Sequence, residues 1–450
     1  MPNVYVFLGI LILITSLKCE NSNALLKVDP LVNTKLGLIR GVRANDGDYS
    51  MFMGIPYAQI NASNPFVAAI PQHTQQSARK LKSLITPLWI KNNIEAFGGD
   101  PTNITLFGES AGAIAVDFHI LSPQEKLFDK AIIQSGTSLS PVFFQPHKNA
   151  PTTLAAKLGF PTNDTNKAMT FLASVDTSLV INVTKNLGLN FRPCVEKGFE
   201  NVQGIITENW IHAQMPKVNS MPILIGFTDD EKISVYINQP SSYFDDLNIF
   251  HDKLNLDFDV TNPDFVGMEE SVRHFYIGDK DISENVKYQI VDFDSDYVYN
   301  HPTYRSISKY LSNNAGNIYQ YLFSYNGDRN FGKRAQNFTG NAAGAVHADE
   351  IGYLFDTAYY DKPPSTADQL IIDRLTMMWA NFVKYGNPTP EVSEFLPVTW
   401  TPITKNSLNY YLEINSELRL SVRPFHKRMA FWDIFYRTND KLQKVYPGNE

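Results

Sequence analysis

The sequence predicts an α/β fold in which a mostly parallel central sheet carries helices on both faces. Short apolar segments with the length of buried strands alternate along the chain with helical patterns, which is typical of parallel sheets. The 450 residues are 43% hydrophobic and 19% charged, which supplies a large core and excludes a disordered chain. No repeats, low-complexity tracts or Pro/Ser-rich linkers interrupt the pattern, so a single domain is predicted over residues 20–450.

The elements before residue 100 are predicted from three segments. Leu36–Val42 and Tyr49–Met53 alternate around Gly and Asp, which favours a small antiparallel element. Ala58–Lys82 has no clear period and receives no assignment. Leu88–Phe97 has apolar residues at helical spacing and ends before a Gly-Gly pair, as the C-terminus of a helix does.

The later elements supply the sheet and its covering helices. The predicted strands and helices are, in chain order, the strand Asn103–Phe107, a helix of small residues from Ala111, the strands Ala131–Ile133, Pro222–Phe227 and Ile318–Phe323, the helix Ser365–Lys384, and a hairpin of Leu408–Ile414 and Glu417–Val422 around Asn415-Ser416. The long helix has an apolar stripe and is ended by a glycine and a proline. Because strands and helices alternate, most of these strands are expected to be parallel.

The N-terminus is predicted to be a secretory signal peptide over residues 1–19. Val4–Leu17 is almost wholly apolar, is too short for a membrane span and is followed by polar residues. A buried strand or an uncleaved anchor are the alternatives. No later stretch has the length and apolarity of a membrane span, so a secreted, extracellular protein is predicted. N-x-S/T sequons, which permit glycosylation, occur at Asn61, Asn103, Asn163, Asn182 and Asn337.

Charge and motif content exclude several classes of function. The 39 basic and 46 acidic residues give a net charge of −7, and no basic run exceeds two residues, which argues against a nucleic-acid partner. The chain contains no H-E-x-x-H sequence, P-loop or paired C-x-x-C. The sequence therefore predicts no metal and no cofactor.

The most specific motif is Gly108-Glu109-Ser110-Ala111-Gly112, a G-x-S-x-G sequence between a predicted strand and a predicted helix. In a nucleophile elbow the turn is too tight for side chains at the flanking positions, so Gly108 and Gly112 fit it. The serine hydroxyl then projects above the sheet. The alternative is a serine in a Gly-rich turn that has no chemical role.

A serine nucleophile needs a histidine base and a carboxylate that orients the histidine. In this type of fold the partners follow the serine in the order acid, then histidine, each after a strand. Asp229, Asp230 and Glu231 follow the strand Pro222–Phe227, and His347 lies in the loop after Ile318–Phe323. The position of these residues after successive strands makes them candidates.

The motifs together resemble the type-B carboxylesterase/cholinesterase family of α/β-hydrolases, particularly its insect secreted esterases. The resemblance runs from about Leu36 to Phe435 with one large break. The segments that carry it are Gly54-Ile55-Pro56-Tyr57-Ala58, Ala96-Phe97-Gly98-Gly99-Asp100-Pro101, Gly108–Gly112, Ile132-Ile133-Gln134-Ser135-Gly136, Gly344–Glu350, and Trp379-Ala380-Asn381-Phe382 with Gly386-Asn387-Pro388.

The resemblance implies a catalytic triad with Ser110 as nucleophile, Glu231 as acid and His347 as general base. It also implies that Ala111 donates its backbone N–H to the oxyanion. Asp230 is the competing acid, but the family pattern places the carboxylate one residue later. The family usually has Gly after the acid, where this chain has Lys232. Glu350 is expected to hold the histidine loop rather than to take part in the chemistry.

The break in the resemblance lies between about residues 58 and 88. There the family carries a far longer segment with early strands of the sheet and a His-Gly-Gly motif, whose N–H groups form the rest of the oxyanion hole. No Gly-Gly pair occurs between residues 58 and 90. The domain is therefore expected to be truncated there and to lack some early strands.

The sequence supports two hypotheses for the function. The first is a secreted serine carboxylic-ester hydrolase that acts through an acyl-enzyme on a small-molecule ester. A neutral or apolar ester is expected, because the sequence near Phe143-Phe144 shows no charged clamp. The alternative is a catalytically impaired or non-catalytic cholinesterase-like binding or adhesion protein, which the retention of all three triad residues argues against. The sequence does not predict the oligomeric state.

Overall fold

The computed structural model describes residues 30–35, 37–44, 47–59, 70–71, 85–143, 149–189, 191–196, 204–209, 211, 213–338, 344–357 and 359–444. The predicted signal peptide, Asn61 and most of the region predicted to be truncated lie outside these residues. Within the described ranges, no helix is both long and apolar enough to cross a bilayer.

The strands form one large sheet and three small antiparallel ladders. The strands are β1 (Leu31–Thr34), β2 (Gly37–Arg40), β3 (Val42–Arg43), β4 (Ser50–Met51), β5 (Ala58–Gln59), β6 (Ile70–Pro71), β7 (Thr105–Glu109), β8 (Lys130–Gln134), β9 (Ile223–Thr228), β10 (Ile318–Phe323), β11 (Tyr410–Ile414) and β12 (Leu418–Val422). The large sheet has the order β12-β11-β10-β9-β8-β7. Adjacent strands of this sheet are parallel from β7 to β11, and the β11–β12 hairpin is its one described antiparallel pair.

Helices surround this sheet and connect its parallel strands. They are α1 (Ile85–Asn93), α2 (Ala111–Leu121), α3 (Ala150–Lys157), α4 (Thr165–Ser174), α5 (Thr177–Asn186), α6 (Ile233–Tyr236), α7 (Ile249–Asp257), α8 (Phe265–Ile277), α9 (Lys287–Ser295), α10 (His301–Ser312), α11 (Phe331–Ala335), α12 (Ile351–Leu354), α13 (Thr366–Tyr385) and α14 (His426–Thr438). A π-helical stretch, Asp296–Asn300, joins α9 to α10.

The core lies on both faces of the large sheet because its strands are apolar on both sides. On one face Ala131 and Ile133 of β8 pack with the buried side chains of α2. On the other face Ile132 packs with the buried side chains of α13. A third, aromatic-rich cluster around Trp432 gathers side chains of α7 to α10 and α14. The sheet therefore has the two-sided cover that the sequence predicts.

The observed elements confirm the predicted fold class and most of the predicted strands. β10 has the bounds predicted for it, and Ser365 caps α13 with its hydroxyl, which accepts from the Asp368 N–H. The predicted antiparallel element near the N-terminus is found in part. Val42 pairs with Met51 in the short β3–β4 ladder, but most of the first predicted segment forms β2, which pairs with β1. β7 runs two residues beyond the predicted end of its strand, to Glu109.

One edge of the described sheet is the strand that leads to Ser110. β7 pairs with β8 on one side, and in the part of the chain that the structure describes no strand pairs with its other side. The expectation that early strands are missing stays a prediction, since most of residues 58–88 lies outside the described ranges. The β5–β6 ladder, in the region predicted to be truncated, pairs only with itself within the described residues.

Candidate active site

Ser110 occupies a sharp turn between β7 and α2. Its backbone has φ 54° and ψ −120°, a strained conformation for a residue with a side chain. The Ser110 N–H donates to the Gln134 carbonyl at 2.9 Å, and the Ser110 carbonyl accepts from the Ile114 N–H at 3.1 Å. These bonds tie the turn both to the neighbouring strand and to the first turn of the helix.

Two glycines allow the backbone to approach itself at this turn. A Cβ atom on Gly108 would overlap the carbonyl group of Gly112. A Cβ atom on Gly136, which follows β8, would lie 2.6 Å from the Ser110 carbonyl oxygen. A Cβ atom on Gly112 would have no heavy atom within 4 Å, so crowding does not explain the second motif glycine. Sequence reasoning did not single out Gly136 for this contact.

Ala111 is the first residue of α2 and lies beside Ser110. The N–H groups of the first helical turn have no partner within the helix, so its N–H can serve as a donor. The partial positive charge of the helix N-terminus would also stabilise a negatively charged oxygen there. This position suits the oxyanion donor implied by the family resemblance.

His347 and Glu231 are joined by a short contact. The Nδ1 atom of His347 lies 2.6 Å from Glu231 Oε2, and the Glu231 side chain is fully buried. The other carboxylate oxygen of Glu231 accepts from the Thr228 N–H at 3.0 Å. Because β9 ends at Thr228, this bond fixes the carboxylate relative to the sheet. The structure therefore brings together the predicted acid and the predicted base.

Asp230 contacts the loop that carries His347, but at Gly344 and Ala345 rather than at the histidine itself. Its carboxylate lies beside Gly344, and its N–H donates to the Ala345 carbonyl at 3.0 Å. Burial raises the pKa of Asp230, with Asp292 adding to the effect. In the described part of the chain Asp230 makes no hydrogen bond to His347, and the histidine nitrogen is bonded to Glu231 instead.

The second nitrogen of His347 faces Glu109 rather than Ser110. Its Nε2 atom lies 3.2 Å from Glu109 Oε1. Among the described residues no hydrogen bond joins the Ser110 hydroxyl to His347. The histidine instead contacts Glu109, the residue directly before Ser110. Sequence reasoning did not single out Glu109, and its place beside the serine was the available signal.

Burial and neighbouring charges change the pKa values of His347 and Glu109. Burial alone would lower the pKa of His347, but the carboxylates of Glu109 and Glu231 raise it to about 9. Burial raises the pKa of Glu109 to about 8, against the opposing attraction of His347. Both shifts favour the retention of a proton at the contact between His347 Nε2 and Glu109 Oε1. A base that accepts a proton from Ser110 must first lose this one.

Glu350 holds the histidine loop by buried hydrogen bonds. Its Oε1 atom accepts from Gln134 Nε2 at 2.8 Å and from the Tyr321 hydroxyl at 2.9 Å. Trp379 Nε1 donates to Gln134 Oε1 at 2.9 Å and extends the network to α13. Burial raises the pKa of Glu350 to about 7. These contacts fit the loop-holding role expected for this carboxylate.

The remaining predicted positions are distributed over the surface. The side chains of Asn163, Asn182 and Asn337 are exposed, so each could accept a glycan. Asn103 is half-buried, where its amide accepts from the Lys130 ammonium and donates to the Lys384 carbonyl. Within the described residues no group of three or more His, Cys, Asp or Glu side chains is placed to hold a metal ion.

Comparison with known proteins shows which family the chain belongs to. The sequence model of the carboxylesterase family matches residues 88–432, about three quarters of the chain. The chain belongs to the carboxylesterase family. Esterase FE4 of Myzus persicae is 27% identical over 74% of this chain and 60% of its own length. Esterase E4 of the same aphid is 28% identical over 72% and 61%.

A vertebrate relative is similar to the same extent. The bile salt-activated lipase of Rattus norvegicus is 30% identical over 79% of this chain and 59% of its own length. The chain thus spans about 60% of the length of these relatives. As in other carboxylesterases, the α/β-hydrolase fold places the serine after a sheet strand, here β7.

Proposed function

We propose that this carboxylesterase is a secreted serine hydrolase of carboxylic esters with a Ser110-Glu231-His347 triad. The observation that supports it most is the position of His347. Its Nδ1 is held by the buried Glu231, and its Nε2 lies at the residue directly before Ser110. For catalysis the imidazole would turn its Nε2 atom from Glu109 to the Ser110 hydroxyl.

The proposed reaction has two steps through an acyl-enzyme. Neutral His347 takes the hydroxyl proton as Ser110 Oγ bonds to the ester carbonyl carbon, and the carbonyl oxygen becomes an oxyanion facing the Ala111 N–H. The protonated histidine then gives this proton to the leaving alkoxide as the C–O bond breaks. Water, deprotonated by His347, attacks the acyl-enzyme and releases the acid and the free serine.

The proposed activity predicts a specific dependence on Glu109. Glu109→Gln removes the negative charge that helps to raise the pKa of His347, so this pKa should fall. Activity is lost as pH falls through the pKa of the base, and a lower pKa keeps the base neutral at lower pH. The acid limb of kcat/KM should therefore move to lower pH by about one unit or more.

This shift is measured from pH–rate profiles with an activated aryl ester. Glu284→Gln, which removes an exposed carboxylate outside the site, is the control and should leave the profile in place. An unchanged acid limb in Glu109→Gln would show that Glu109 does not control the titration of His347.

Labelling by a fluorophosphonate tests the proposed nucleophile. The folded wild-type chain should form one covalent adduct, on Ser110, because an activated serine attacks the phosphorus. Ser110→Ala should not be labelled, whereas Ser174→Ala, which alters an exposed serine, should be labelled like the wild type. A folded wild-type chain that resists labelling would contradict the proposal.

The second candidate is a catalytically impaired or non-catalytic binding protein of the same fold. The observations that favour it are the unpaired edge of β7 within the described sheet and the lack of a hydrogen bond between Ser110 and His347. A saturable partner that binds equally to wild type and Ser110→Ala, without ester turnover, would support this candidate.

A further inference from the structure

A cavity of about 290 Å³ lies next to the candidate active site. Its lining residues are Val142, Phe143, Arg192, Lys232, Lys253, Leu256 and Tyr299. Tyr299 forms the shared wall, since its ring stacks on the His347 imidazole with centroids 4.7 Å apart. The volume is close to that of small-ligand sites, so it can hold a short aliphatic segment with a polar end.

Three cationic side chains line this cavity, and among the described residues only Lys253 forms a close ion pair, although the charges of Asp294 and Glu231 also attract Lys232. The Lys253 ammonium lies 2.5 Å from Asp294 Oδ1. The Lys232 ammonium lies 5.2 Å from the centre of the Tyr299 ring, and the Arg192 guanidinium lies 5.9 Å from the centre of the Phe143 ring. Neither Lys232 nor Arg192 has an ion pair in the part of the chain that the structure describes.

The unpaired cations are partly withdrawn from water. Burial lowers the pKa of both Lys232 and Arg192, and Arg192 Nε is buried without a hydrogen-bond acceptor. A buried donor without an acceptor and an unpaired buried cation are both unfavourable. An anion in the cavity would supply the missing acceptors, and the aromatic faces of Tyr299 and Phe143 do not replace them.

The position of Lys232 links this cavity to the proposed chemistry. Lys232 directly follows Glu231, the proposed triad acid, in the chain. Because both groups contact the Tyr299 ring, the Lys232 ammonium lies within about 10 Å of the His347 ring. One substrate molecule could therefore place an ester carbonyl at Ser110 and a second group among the cations.

We propose that this cavity binds a carboxylate at the far end of the substrate, so that the preferred substrates are esters that carry a second, anionic group. Monoesters of aliphatic dicarboxylic acids are the simplest members of this class. The inference rests on the proposed ester hydrolase function. This anionic substrate class differs from the neutral or apolar ester expected from the sequence. The sequence near Phe143 contains no cation, but in the fold Arg192 lies over the Phe143 ring.

Arg192 and Lys232 would bind the substrate carboxylate in different ways. The Arg192 guanidinium can donate two parallel hydrogen bonds to one carboxylate, while the Lys232 ammonium supplies a compact charge. Lys253 remains paired with Asp294. The three cations are opposed by two carboxylates, Asp294 and Glu231, so the local charge stays positive. A carboxylate therefore enters an electrostatically favourable cavity, whereas an ammonium ester would be repelled.

Paired substrates test the proposal. The p-nitrophenyl monoesters of succinate, glutarate and adipate are compared with the neutral p-nitrophenyl esters of butyrate, valerate and hexanoate. The wild type should favour one anionic ester over its neutral counterpart by about ten-fold or more in kcat/KM, chiefly through KM. Lys232→Met and Arg192→Met should each reduce this ratio by about ten-fold, whereas Lys157→Met, an exposed lysine outside the cavity, should leave it unchanged.

A binding measurement separates this inference from the proposed activity. Adipate, which has no ester bond, should raise the melting temperature of wild type and Lys157→Met more than that of Lys232→Met or Arg192→Met. If adipate has no effect on the wild type, the carboxylate site is wrong even if neutral esters are hydrolysed. If adipate binds but no ester is hydrolysed, the proposed activity fails and the site stands. If adipate binds but neutral esters are preferred, the cavity holds a separate anion and the substrate assignment is wrong.

Discussion

Replacing Glu231 with glutamine should lower kcat by about 10³–10⁴-fold and leave the chain folded. The amide has nearly the same shape as the carboxylate but no charge, so it cannot stabilise the imidazolium that forms when His347 takes the Ser110 proton. Glu231 is well placed for this role, because its buried carboxylate lies 2.6 Å from His347 Nδ1. Steady-state kinetics with an activated aryl ester, together with circular dichroism, measure both parts of the expectation.

The matched control for this substitution is the adjacent residue. Asp230→Asn should change kcat less than about ten-fold, because the Asp230 carboxylate lies beside Gly344 and not at His347. The two substitutions make the same chemical change one residue apart. A larger loss in Asp230→Asn than in Glu231→Gln would assign the acid to Asp230.

Replacing Gly108 with alanine should destabilise the fold by about 3 kcal/mol and abolish esterase activity. The added methyl group would overlap the Gly112 carbonyl, which is backbone and cannot rotate away as a side chain would. To relieve the overlap, α2 has to move away from β7, and Ser110 then loses its position. Urea unfolding gives the stability change, and fluorophosphonate labelling reports the loss of the site.

Gly112→Ala is the control that separates crowding from a general intolerance of the motif. Its methyl group would meet no heavy atom within 4 Å. Alanine is favoured over glycine inside a helix by about 0.5–1 kcal/mol, so stability should be equal or slightly higher. Equal destabilisation by both substitutions would contradict the close approach seen at Gly108.

The sheet was predictable because its strands are short and mostly apolar. Ile318–Phe323 is buried along its whole length in β10, and a run of this length without a helical period is typical of a parallel strand. The end of β7 was less predictable. Gly108 was interpreted as the start of the turn, but it stays in the ladder and pairs with Ile133 of β8. The turn is confined to Ser110.

The helices α3 to α5 between β8 and β9 are not predicted, for a different reason. Asp164 and Asp176 accept hydrogen bonds from N–H groups of the first turns of α4 and α5, so capping signals were present in the sequence. Their apolar faces are short and cover a small separate cluster, which gives a weak period. The cationic lining of the cavity could not be predicted from the sequence either, because Arg192 and Lys232 come together only through tertiary folding.

The bonds that assemble the site join distant parts of the chain, and this has a consequence for folding. Glu231 and His347 are 116 residues apart, and Gln134 and Glu350 are 216 apart. The closure of such long loops costs entropy before the contacts compensate for it, and parallel pairing between β8, β9 and β10 is equally non-local. The site is therefore completed late, after the local helices have formed. Recovery of esterase activity after dilution from urea would then report the final topological step rather than the early collapse.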